Sequence, residues 1–326
     1  MPSFAIGVDL GGTNLRIAAI DENGKQLETI TTSTEVKRGR DSVIESMCRD
    51  ILALKGKYAA QYDFAGSGIG VPGIIDMETG TVVWSPNLLD WRNYPVREEI
   101  ESRLNAPVIL ENDANVAALG EKWLGAGKEY ASMCMITLGT GVGGGVILDG
   151  RVWHGLNGMA GELGHITAFP DGPPCGCTSH GCLEQYASAT AVKRMALGAI
   201  ASGDAPELSR AMKANPEFSA KIVYQMAMEG DVAAQKIFKT VGEALGIVIG
   251  GLVNLMNLPA YVIGGGMAAG WDAFGPSMFA ELNKRSYVFR NTADGEPKKR
   301  TVITRALLGG DAGLLGAAHL ALQARV

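Results

Sequence analysis

Short apolar runs, separated by glycine or polar turns, set the order of predicted elements in the first part of the chain. The runs FAIGVDL and LRIAAID predict two strands joined by the turn GGTN, and the polar residues 21–24 predict a hairpin into a third strand. Further along, helices are predicted at 41–58 and 95–105, and strands at 66–71 and 108–110. Strands that alternate with helices in this way indicate an α/β fold.

The pattern of strand, glycine turn and strand occurs a second time in the middle of the chain. Residues 132–138 predict a strand, GTGV a turn and GGGVILD a second strand, so that residues 10–13 align with residues 138–141. Two copies predict a duplicated α/β fold in which both turns face one cleft between domains. The alternative is a chance similarity between two glycine-rich hairpins.

The last third of the sequence is mostly helical. Helices are predicted at 184–202, 217–229 and 232–256, followed by the strand YVIGGG and a final helix from Ala312. The most apolar stretch, at 244–267, is interrupted by asparagines, a proline and several glycines. It is therefore predicted to be a buried helix followed by a strand, rather than a membrane span.

Composition and charge narrow the class of protein. Hydrophobic residues make up 47% and charged residues 19% of the 326 residues, which indicates a folded globular protein. A net charge of −5 gives no basic surface for nucleic acid, and MPSFAIGVDL does not resemble a secretory signal. Five cysteines, three of them clustered, fit a metal site in a reducing compartment better than disulfides. We therefore expect a cytoplasmic protein that binds neither nucleic acid nor membrane.

The two glycine turns are suited to phosphate. Asp9 ends the first predicted strand, and the backbone N–H groups of the following turn can form an anion nest. Asp9 could hold Mg²⁺ through water, although a plain hairpin with a polar cap is the alternative. The second turn repeats this arrangement of backbone N–H groups, which favours phosphate binding over a plain hairpin. The candidate residues are Asp9, Gly11, Gly12, Thr13, Asn14, Gly139, Thr140 and Gly141.

A third glycine run follows an apolar strand and precedes a predicted helix. Its residues, Gly264, Gly265 and Gly266, could let an adenosine lie flat against the backbone. A plain turn between a strand and a helix is the alternative interpretation.

A histidine and three cysteines form a candidate metal site. One imidazole and three thiolates satisfy tetrahedral Zn²⁺ with no open position, so the site is predicted to be structural rather than catalytic. The spacing is not that of a zinc finger, and His154 and His180 are competing candidates. The loop between these ligands is rich in proline and glycine, and we expect it to need a bound metal ion to be ordered. The predicted ligands are His165, Cys175, Cys177 and Cys182.

Three acidic residues are candidates for contacts with a substrate. Asp113 follows a predicted strand and could accept a proton from a substrate hydroxyl, while Asn112 orients that substrate. Local sequence alone favours a simpler role, since Asn and Asp are preferred helix N-caps. Glu162 and Glu184 flank the metal cluster and could accept hydrogen bonds from sugar hydroxyls. Either could equally be a solvated surface acid.

Taken together, these segments resemble the ROK family of sugar kinases, within the actin-like ATPase superfamily. The matching segments are DLGGTNLR, GVPGII, ENDANVAALGE, LGTGVGGG, GMAGELGHI, CGCTSHGCLE and IGGGM, which occur in the expected order. WSPNLLDW and EQYASATAV are most similar to bacterial glucokinases in that family. One departure is Thr178, where the family usually has glycine. That puts the turn of the zinc loop in doubt, although all four ligands remain.

The resemblance implies an actin-like, ribonuclease H-like fold of two α/β domains that close over their substrates. The smaller domain is expected at 1–117, and the larger domain, which carries the zinc loop, at 118–311. A C-terminal helix at 312–326 is expected to pack back on the first domain. Family members are commonly homodimers, so a homodimer is expected here.

The resemblance also implies a reaction. The γ-phosphoryl group of ATP would pass to the 6-hydroxyl of a hexose, with glucose as the first expectation and Mg²⁺ at the phosphates. Asp113 would be the general base, and His165 would bind zinc through one ring nitrogen and face the sugar with the other. The implied sugar-site residues are Gly73, Asn87, Asn112, Asp113, Glu162, His165 and Glu184.

Other functions within the same family stay open at this point. N-acetylmannosamine, N-acetylglucosamine, fructose or allose could replace glucose, because single hydroxyl differences are discriminated by pocket geometry. A sugar-responsive regulator without kinase activity is a weaker alternative. A DNA-binding repressor is not expected, because the first strand begins at Phe4 and leaves no room for a helix-turn-helix segment.

Overall fold

The computed structural model describes residues 1–292, 296 and 299–324. The chain divides into two compact units. The first comprises Met1–Ser132, Gly145–Gly161 and Leu307–Val326, and the second comprises Met133–Gly144 and Glu162–Ala306. Residues 325 and 326 of the predicted C-terminal helix lie outside the described residues.

The described residues form the strands and helices expected of an α/β protein. The strands are β1 (Ser3–Leu10), β2 (Asn14–Asp21), β3 (Gln26–Ser33), β4 (Asp63–Val71), β5 (Ile74–Asp76), β6 (Thr81–Trp84), β7 (Val108–Asn112), β8 (Met133–Leu138), β9 (Val142–Leu148), β10 (Arg151–Val152), β11 (Ala260–Gly264) and β12 (Val302–Arg305). The α-helices are α1 (Arg40–Tyr58), α2 (Val96–Leu104), α3 (Asp113–Leu124), α4 (Glu184–Ala187), α5 (Ala189–Ala201), α6 (Pro206–Ala214), α7 (Ala220–Met228), α8 (Val232–Met256), α9 (Trp271–Arg285), α10 (Tyr287–Thr292) and α11 (Ala312–Gln323).

The first unit is built on a five-stranded sheet with the order β3-β2-β1-β4-β7. Strands β1, β2 and β3 are antiparallel neighbours, whereas β4 pairs in parallel with both β1 and β7. Parallel pairing brings the carboxyl ends of β1, β4 and β7 to one edge of the sheet. In register, Asp9 lies opposite Gly70, which in turn lies opposite Glu111. That edge therefore carries the predicted phosphate turn and the predicted general base.

Helix α11 packs directly on β1, β4 and α3. The approach is so close that a Cβ added at Gly7 would lie 2.1 Å from the Leu314 carbonyl oxygen, and one at Gly68 would lie 1.8 Å from that of Ala317. These strand positions must be glycine for the helix to reach the sheet. The opposite face is covered by apolar residues of α1 and α2.

The predicted domain boundary at 117/118 falls inside α3, which the structure keeps whole in the first unit. The physical reason is the packing of α3 along α11. A Cβ at Gly120 would lie 2.1 Å from the Ala312 carbonyl oxygen, so the middle of α3 is in close contact with the start of α11.

The second five-stranded sheet has the order β10-β9-β8-β11-β12, with β11 parallel to both β8 and β12. This repeats the strand order of the first sheet. β1 ends at Leu10 and β2 begins at Asn14, while β8 ends at Leu138 and β9 begins at Val142. The strands around the two glycine turns therefore coincide at the offset that the sequence repeat predicts, which confirms the duplicated α/β fold.

One predicted helix of the second unit is divided in the structure, and helices α6 and α10 were not predicted. The predicted helix at 184–202 is interrupted at Ser188, which is extended with φ −85° and ψ 158°. The Ser188 side chain accepts a hydrogen bond from the Ala191 backbone N–H and so caps α5. The long helix α8 has the predicted bounds. Length and composition would also suit a membrane span, but 67% of its apolar window is buried inside the protein.

Candidate functional site

The first glycine turn is closed by hydrogen bonds on both sides. The Gly11 N–H donates to the Asn14 carbonyl at 2.9 Å, and the Thr34 hydroxyl donates to the Gly11 carbonyl at 2.6 Å. The Thr34 N–H donates to the Thr13 carbonyl at 2.9 Å. The turn is thus held by two hydrogen bonds from Thr34, which directly follows β3. Gly12, Thr13 and Asn14 are exposed and accessible to a ligand.

Asp9 lies at the end of β1 in surroundings that oppose its charge. Burial raises the pKa of Asp9, and the nearby Arg16 partly offsets this effect. A Cβ added at Gly313 would lie 3.3 Å from the Asp9 carboxyl carbon, so the first turn of α11 faces this group. Arg16 itself pairs with Asp311 at 2.6 Å. A cation near Asp9 would favour its ionised form, which fits the prediction of a metal ion at this position.

Three predicted sugar residues of the first unit lie close to one another or to the phosphate turn. The Asn112 side-chain amide donates to the Gly73 carbonyl at 3.1 Å. Gly73 has φ +120°, and a Cβ there would lie 2.2 Å from the Trp84 carbonyl oxygen, so only glycine fits. Asn87 approaches the phosphate turn, because a Cβ at Gly12 would lie 3.1 Å from the Asn87 Cβ.

Asn112 and Asp113 stand at the start of α3, where strand β7 ends. The Asn112 side chain accepts hydrogen bonds from the backbone N–H groups of Ala114 at 2.9 Å and Asn115 at 3.3 Å. One oxygen of Asp113 also accepts from Ala114, at 2.9 Å. The N-cap interpretation is therefore confirmed for Asn112. It does not compete with a role in binding, because the amide nitrogen of the same side chain reaches Gly73.

Behind this helix start lies a contact that the sequence did not reveal. The buried Glu111 carboxylate pairs with His154 Nε2 at 2.6 Å. His154 was a competing metal candidate, but it belongs to the first unit and is not among the four clustered ligands, His165, Cys175, Cys177 and Cys182. The two residues are separated by 43 positions, and no local pattern links them.

The second glycine turn is held by residues that follow the metal cluster. The Glu184 carboxylate accepts from the Val142 N–H at 3.0 Å, and a Cβ at Gly141 would lie 2.5 Å from the same carboxylate. The Thr190 hydroxyl donates to the Thr140 carbonyl at 2.8 Å. Glu184 is therefore a structural neighbour of the predicted phosphate turn as well as a candidate for sugar contact.

The third glycine run also lies beside the second turn. Gly265 has φ +81°, and a Cβ there would lie 2.4 Å from the Leu138 carbonyl oxygen. A tight helical turn spans Gly266–Gly270 and leads into α9. The two predicted nucleotide segments of the second unit, Gly139 to Gly141 and Gly264 to Gly266, are thus brought together at the end of β8.

The four predicted metal ligands converge. Their ligand atoms all lie within 4.8 Å of one another. His165 Nδ1 lies 3.6 Å from Cys175 Sγ, and Cys177 Sγ lies 3.6 Å from Cys182 Sγ. One imidazole and three thiols around a common point match the donor set of a structural zinc site. His165 turns its other nitrogen, Nε2, toward Glu162 Oε2 at 3.9 Å.

The thiols of this cluster differ in environment. A hydrogen bond from the Ser179 backbone lowers the pKa of Cys177, whereas burial raises the pKa of Cys182 to about 12. A bound cation would favour the thiolate form of both. Cys48 and Cys134, which lie outside this cluster, are buried, and burial raises the pKa of both thiols.

Thr178 occupies the tightest part of the metal loop. Its φ is +72°, a left-handed conformation that a β-branched residue rarely adopts. The turn is closed by the Thr178 N–H, which donates to the Cys175 carbonyl at 3.0 Å, and by the Cys175 N–H, which donates to Ser179 at 2.8 Å. Thr178, the departure from the family pattern, therefore lies at a position where glycine would adopt the left-handed backbone conformation with less strain.

Comparison with known proteins gives consistent relatives over almost the whole chain. The ROK family profile matches residues 5–324. A glucokinase of Halalkalibacterium halodurans is 36% identical over 98% of this chain and 94% of its own. A glucokinase of Thermotoga maritima is 37% identical over 97% of this chain and 96% of its own. A solved ROK family glucokinase from Streptomyces griseus, in complex with glucose and AMPPNP, is 34% identical. It has a TM-score of 0.77 and covers 98% of this chain and 100% of that chain.

Proposed function

The chain belongs to the ROK family, and on that premise we propose that it transfers the γ-phosphoryl group of ATP to the 6-hydroxyl of glucose. The main support for the proposal is the arrangement of side chains at the end of β7. There Asp113 and Asn112 are fixed by hydrogen bonds, and Asn112 reaches Gly73. The bound glucose and AMPPNP of the Streptomyces griseus relative support the choice of both substrates.

The proposed reaction is an in-line displacement at phosphorus. The oxygen of the sugar hydroxyl forms a bond to the γ-phosphorus, the bond to the oxygen shared with the β-phosphate breaks, and ADP leaves with that electron pair. Asp113 accepts the hydroxyl proton, which requires a separation of about 3 Å. The rate of phosphoryl transfer depends mainly on the positioning of the reacting groups and on stabilisation of the charge in the transition state. Asp113 therefore contributes mainly by its position beside the attacking hydroxyl.

The glycine turns supply the proposed nucleotide contacts. Backbone N–H groups at 12–14 and 140–141 would donate to phosphate oxygens, since those of Gly11 and Gly139 already donate to carbonyls within their turns. The glycine run at 264–266 would lie against the adenosine. Mg²⁺ would neutralise phosphate charge, with Asp9 as its protein partner through water. The position of Asp9 at the end of β1, beside the first turn, supports this assignment.

The cysteine cluster supplies the proposed structural metal. His165, Cys175, Cys177 and Cys182 would hold Zn²⁺ and thereby order the loop that carries them. His165 Nε2, together with Glu162 and Glu184, would then accept or donate hydrogen bonds to sugar hydroxyls. The metal takes no part in the transfer in this proposal, because its four ligands leave no open position.

A coupled assay of sugar-dependent ADP release tests the function. The protein should be assayed with glucose, fructose, allose, N-acetylglucosamine and N-acetylmannosamine, with kcat/KM determined for each. The proposal expects the highest kcat/KM with glucose. A higher value for another sugar would replace the substrate but keep the reaction class. Absence of ADP release with every sugar would favour a sugar-responsive regulator.

A cytoplasmic homodimer is proposed on family grounds.

A further inference from the structure

A hydrogen-bonded pair of an imidazole and a buried carboxylate lies behind the helix start that carries Asp113. Glu111, the penultimate residue of β7, is only 2% exposed. Its Oε2 lies 2.6 Å from His154 Nε2, and the His154 side chain is 34% exposed. His154 follows the short strand β10 and closes the base of the next loop, since its carbonyl accepts from the Ala160 N–H at 3.1 Å. The imidazole therefore joins a well-anchored backbone to the buried carboxylate.

The second oxygen of Glu111 is attached to the catalytic segment itself. Oε1 accepts from the Asn112 backbone N–H at 2.9 Å and from the Asn115 side-chain amide at 2.9 Å. Asn115 in turn donates its own N–H to the Asn112 side chain. Glu111, Asn112 and Asn115 thus form a closed set of hydrogen bonds around the first turn of α3. A displacement of the Glu111 carboxylate would move the groups that orient Asn112 and Asp113.

His154 and Glu111 line a cavity of about 640 Å³ in the first unit. The cavity is also lined by Leu119 of α3, by Leu320 and Gln323 of α11, and by Ala324 directly after α11, and none of these side chains titrates. The charged groups among the described lining residues are Glu111 from β7, Arg151 from β10 and His154 itself. The hydrogen bond to Glu111 raises the pKa of His154, and burial opposes that shift.

We propose that His154 is a positioning residue for phosphoryl transfer, acting through Glu111 to hold Asn112 and Asp113 in their reactive geometry. This inference rests on the proposed function. A buried carboxylate that loses its partner must find another donor or take up a proton, and either change disturbs its remaining hydrogen bonds. Displacement of a reacting group by 1 Å can reduce a rate by about 10²-fold, so a small movement at Asp113 has a large kinetic effect.

The sign of the pH dependence follows from the direction of the pKa shift. Because Glu111 raises the pKa of folded His154, the ion pair is complete below the ordinary histidine pKa of about 6.5. Its contribution is lost as pH rises through the raised value. Neutral imidazole can still donate from Nε2, so the loss is partial. The kcat of the protein should therefore include a shallow decline on the alkaline side that belongs to His154.

Three variants test the proposal in assays of kcat and KM from about pH 5.5 to about pH 9. His154→Ala removes the donor and should lower kcat about tenfold, with KM for ATP changed less than about twofold. His154→Gln keeps an N–H donor that does not titrate, so it should recover most of kcat and remove the alkaline decline. Arg151→Gln, on the wall of the same cavity, is the matched control and should leave kcat within about twofold.

A double-mutant cycle separates positioning from general stability. In a Glu111→Gln background, His154→Ala should have no further effect on kcat, because the group through which His154 acts has already changed. Independent losses in that cycle would overturn the proposal. Equal losses of kcat in His154→Ala and His154→Gln, in proportion to a lower unfolding temperature, would also overturn it. So would an unchanged kcat in His154→Ala.

An NMR titration distinguishes failure of this inference from failure of the proposed function. The imidazole of His154 should titrate above the ordinary histidine range in the wild-type protein, and lower in Glu111→Gln. His154→Ala should also shift the amide resonances of Asn112 and Asp113. If both effects are seen but the wild-type protein shows no sugar-dependent ADP release, the function fails and the coupling stands. If the protein is active and neither effect is seen, the inference fails alone.

Discussion

Two regions that carry the proposed chemistry are held in place by different means. The start of α3 is fixed by hydrogen bonds of the chain alone: Asn112 caps the helix and reaches Gly73, and Glu111 anchors the turn from behind. The metal loop has no comparable regular structure. It is closed by isolated bridges, such as Pro174 with His180, and by four side chains that converge on one point.

The two regions should therefore differ in what they require to be ordered. The helix start needs only a folded first unit, because its partners, including Gly73 and Glu111, all belong to that unit. The metal loop needs an ion to neutralise and join three thiols and an imidazole, so its order should depend on metal supply and on pH. Loss of the ion should therefore affect the sugar residues near the loop without removing the general base.

The largest effect is expected at the helix start. Asp113→Asn removes the proton acceptor while keeping the size of the side chain, and should lower kcat by about 10²–10⁴-fold. The unfolding free energy should change by less than about 1 kcal/mol, which is the scale of a charge at a helix N-terminus. Steady-state kinetics and thermal unfolding check both.

Asp41→Asn is the matched control, because Asp41 is an exposed carboxylate in the first turn of α1. It should have a similar small effect on unfolding and leave kcat unchanged. Turnover by Asp113→Asn at more than about a tenth of the wild-type rate would contradict the assignment of the general base.

Metal removal should have the next largest effect and should act on the other region. With free zinc about 1,000-fold above its Kd, the ion stabilises the folded state by about 4 kcal/mol, and chelation removes that contribution. KM for the sugar should rise, since Glu162 and His165 lose their fixed loop. Metal analysis, unfolding and kinetics of one chelated preparation check this prediction.

Cys177→Ser should reproduce the effect of chelation, and readded zinc should restore the chelated wild-type protein but not this variant. Ser179→Ala, in the same loop, leaves all four ligands intact and should retain the metal. A fully active preparation that contains no zinc would contradict the structural role of the cluster.

A smaller effect separates the two functions of Asn112. Asn112→Ser keeps an N-cap acceptor but cannot reach Gly73, whereas Asn112→Ala loses both contacts. The alanine variant should lose about 1 kcal/mol of stability, and the serine variant only a few tenths. Both should raise KM for the sugar. If only the alanine variant raises KM, the Gly73 contact has no role in binding.

The smallest effect is a gain of stability in the metal loop. Thr178→Gly removes a β-branched residue from φ +72° and should stabilise the loop by about 1 kcal/mol. Ser179→Gly, at a neighbouring position without positive φ, should give no gain. Chelator concentration at half-loss of zinc measures the difference. A lower value for Thr178→Gly than for wild type would show that the strain is not relieved.

Much of the fold follows from patterns within short segments. The duplicated strand and turn, the helix at 232–256 and the metal ligands each depend on residues close in sequence, and the structure agrees with the first two and brings the ligands together. The break at Ser188 was missed because a serine within an apolar helical pattern is indistinguishable from an ordinary helical residue until its capping bond forms.

The contacts that no pattern predicts join distant segments. Glu111 and His154 meet only because β10 ends near β7 in the folded first unit. Glu121 is similar: it is fully buried, and its carboxylate accepts backbone N–H groups of Ala126, Leu307 and Leu308. A carboxylate in an apolar helix is visible in sequence, but the donors that satisfy it are set by tertiary packing.

The most direct test of the central claim is identification of the products from one wild-type preparation with ATP, Mg²⁺ and glucose. ³¹P NMR combined with ADP quantification is the measurement. We predict one glucose 6-phosphate for each ADP, no ADP above background when glucose is omitted, and formation of both products slowed by about 10²–10⁴-fold in Asp113→Asn. ADP release that does not depend on sugar, or phosphate at another hydroxyl, would contradict it.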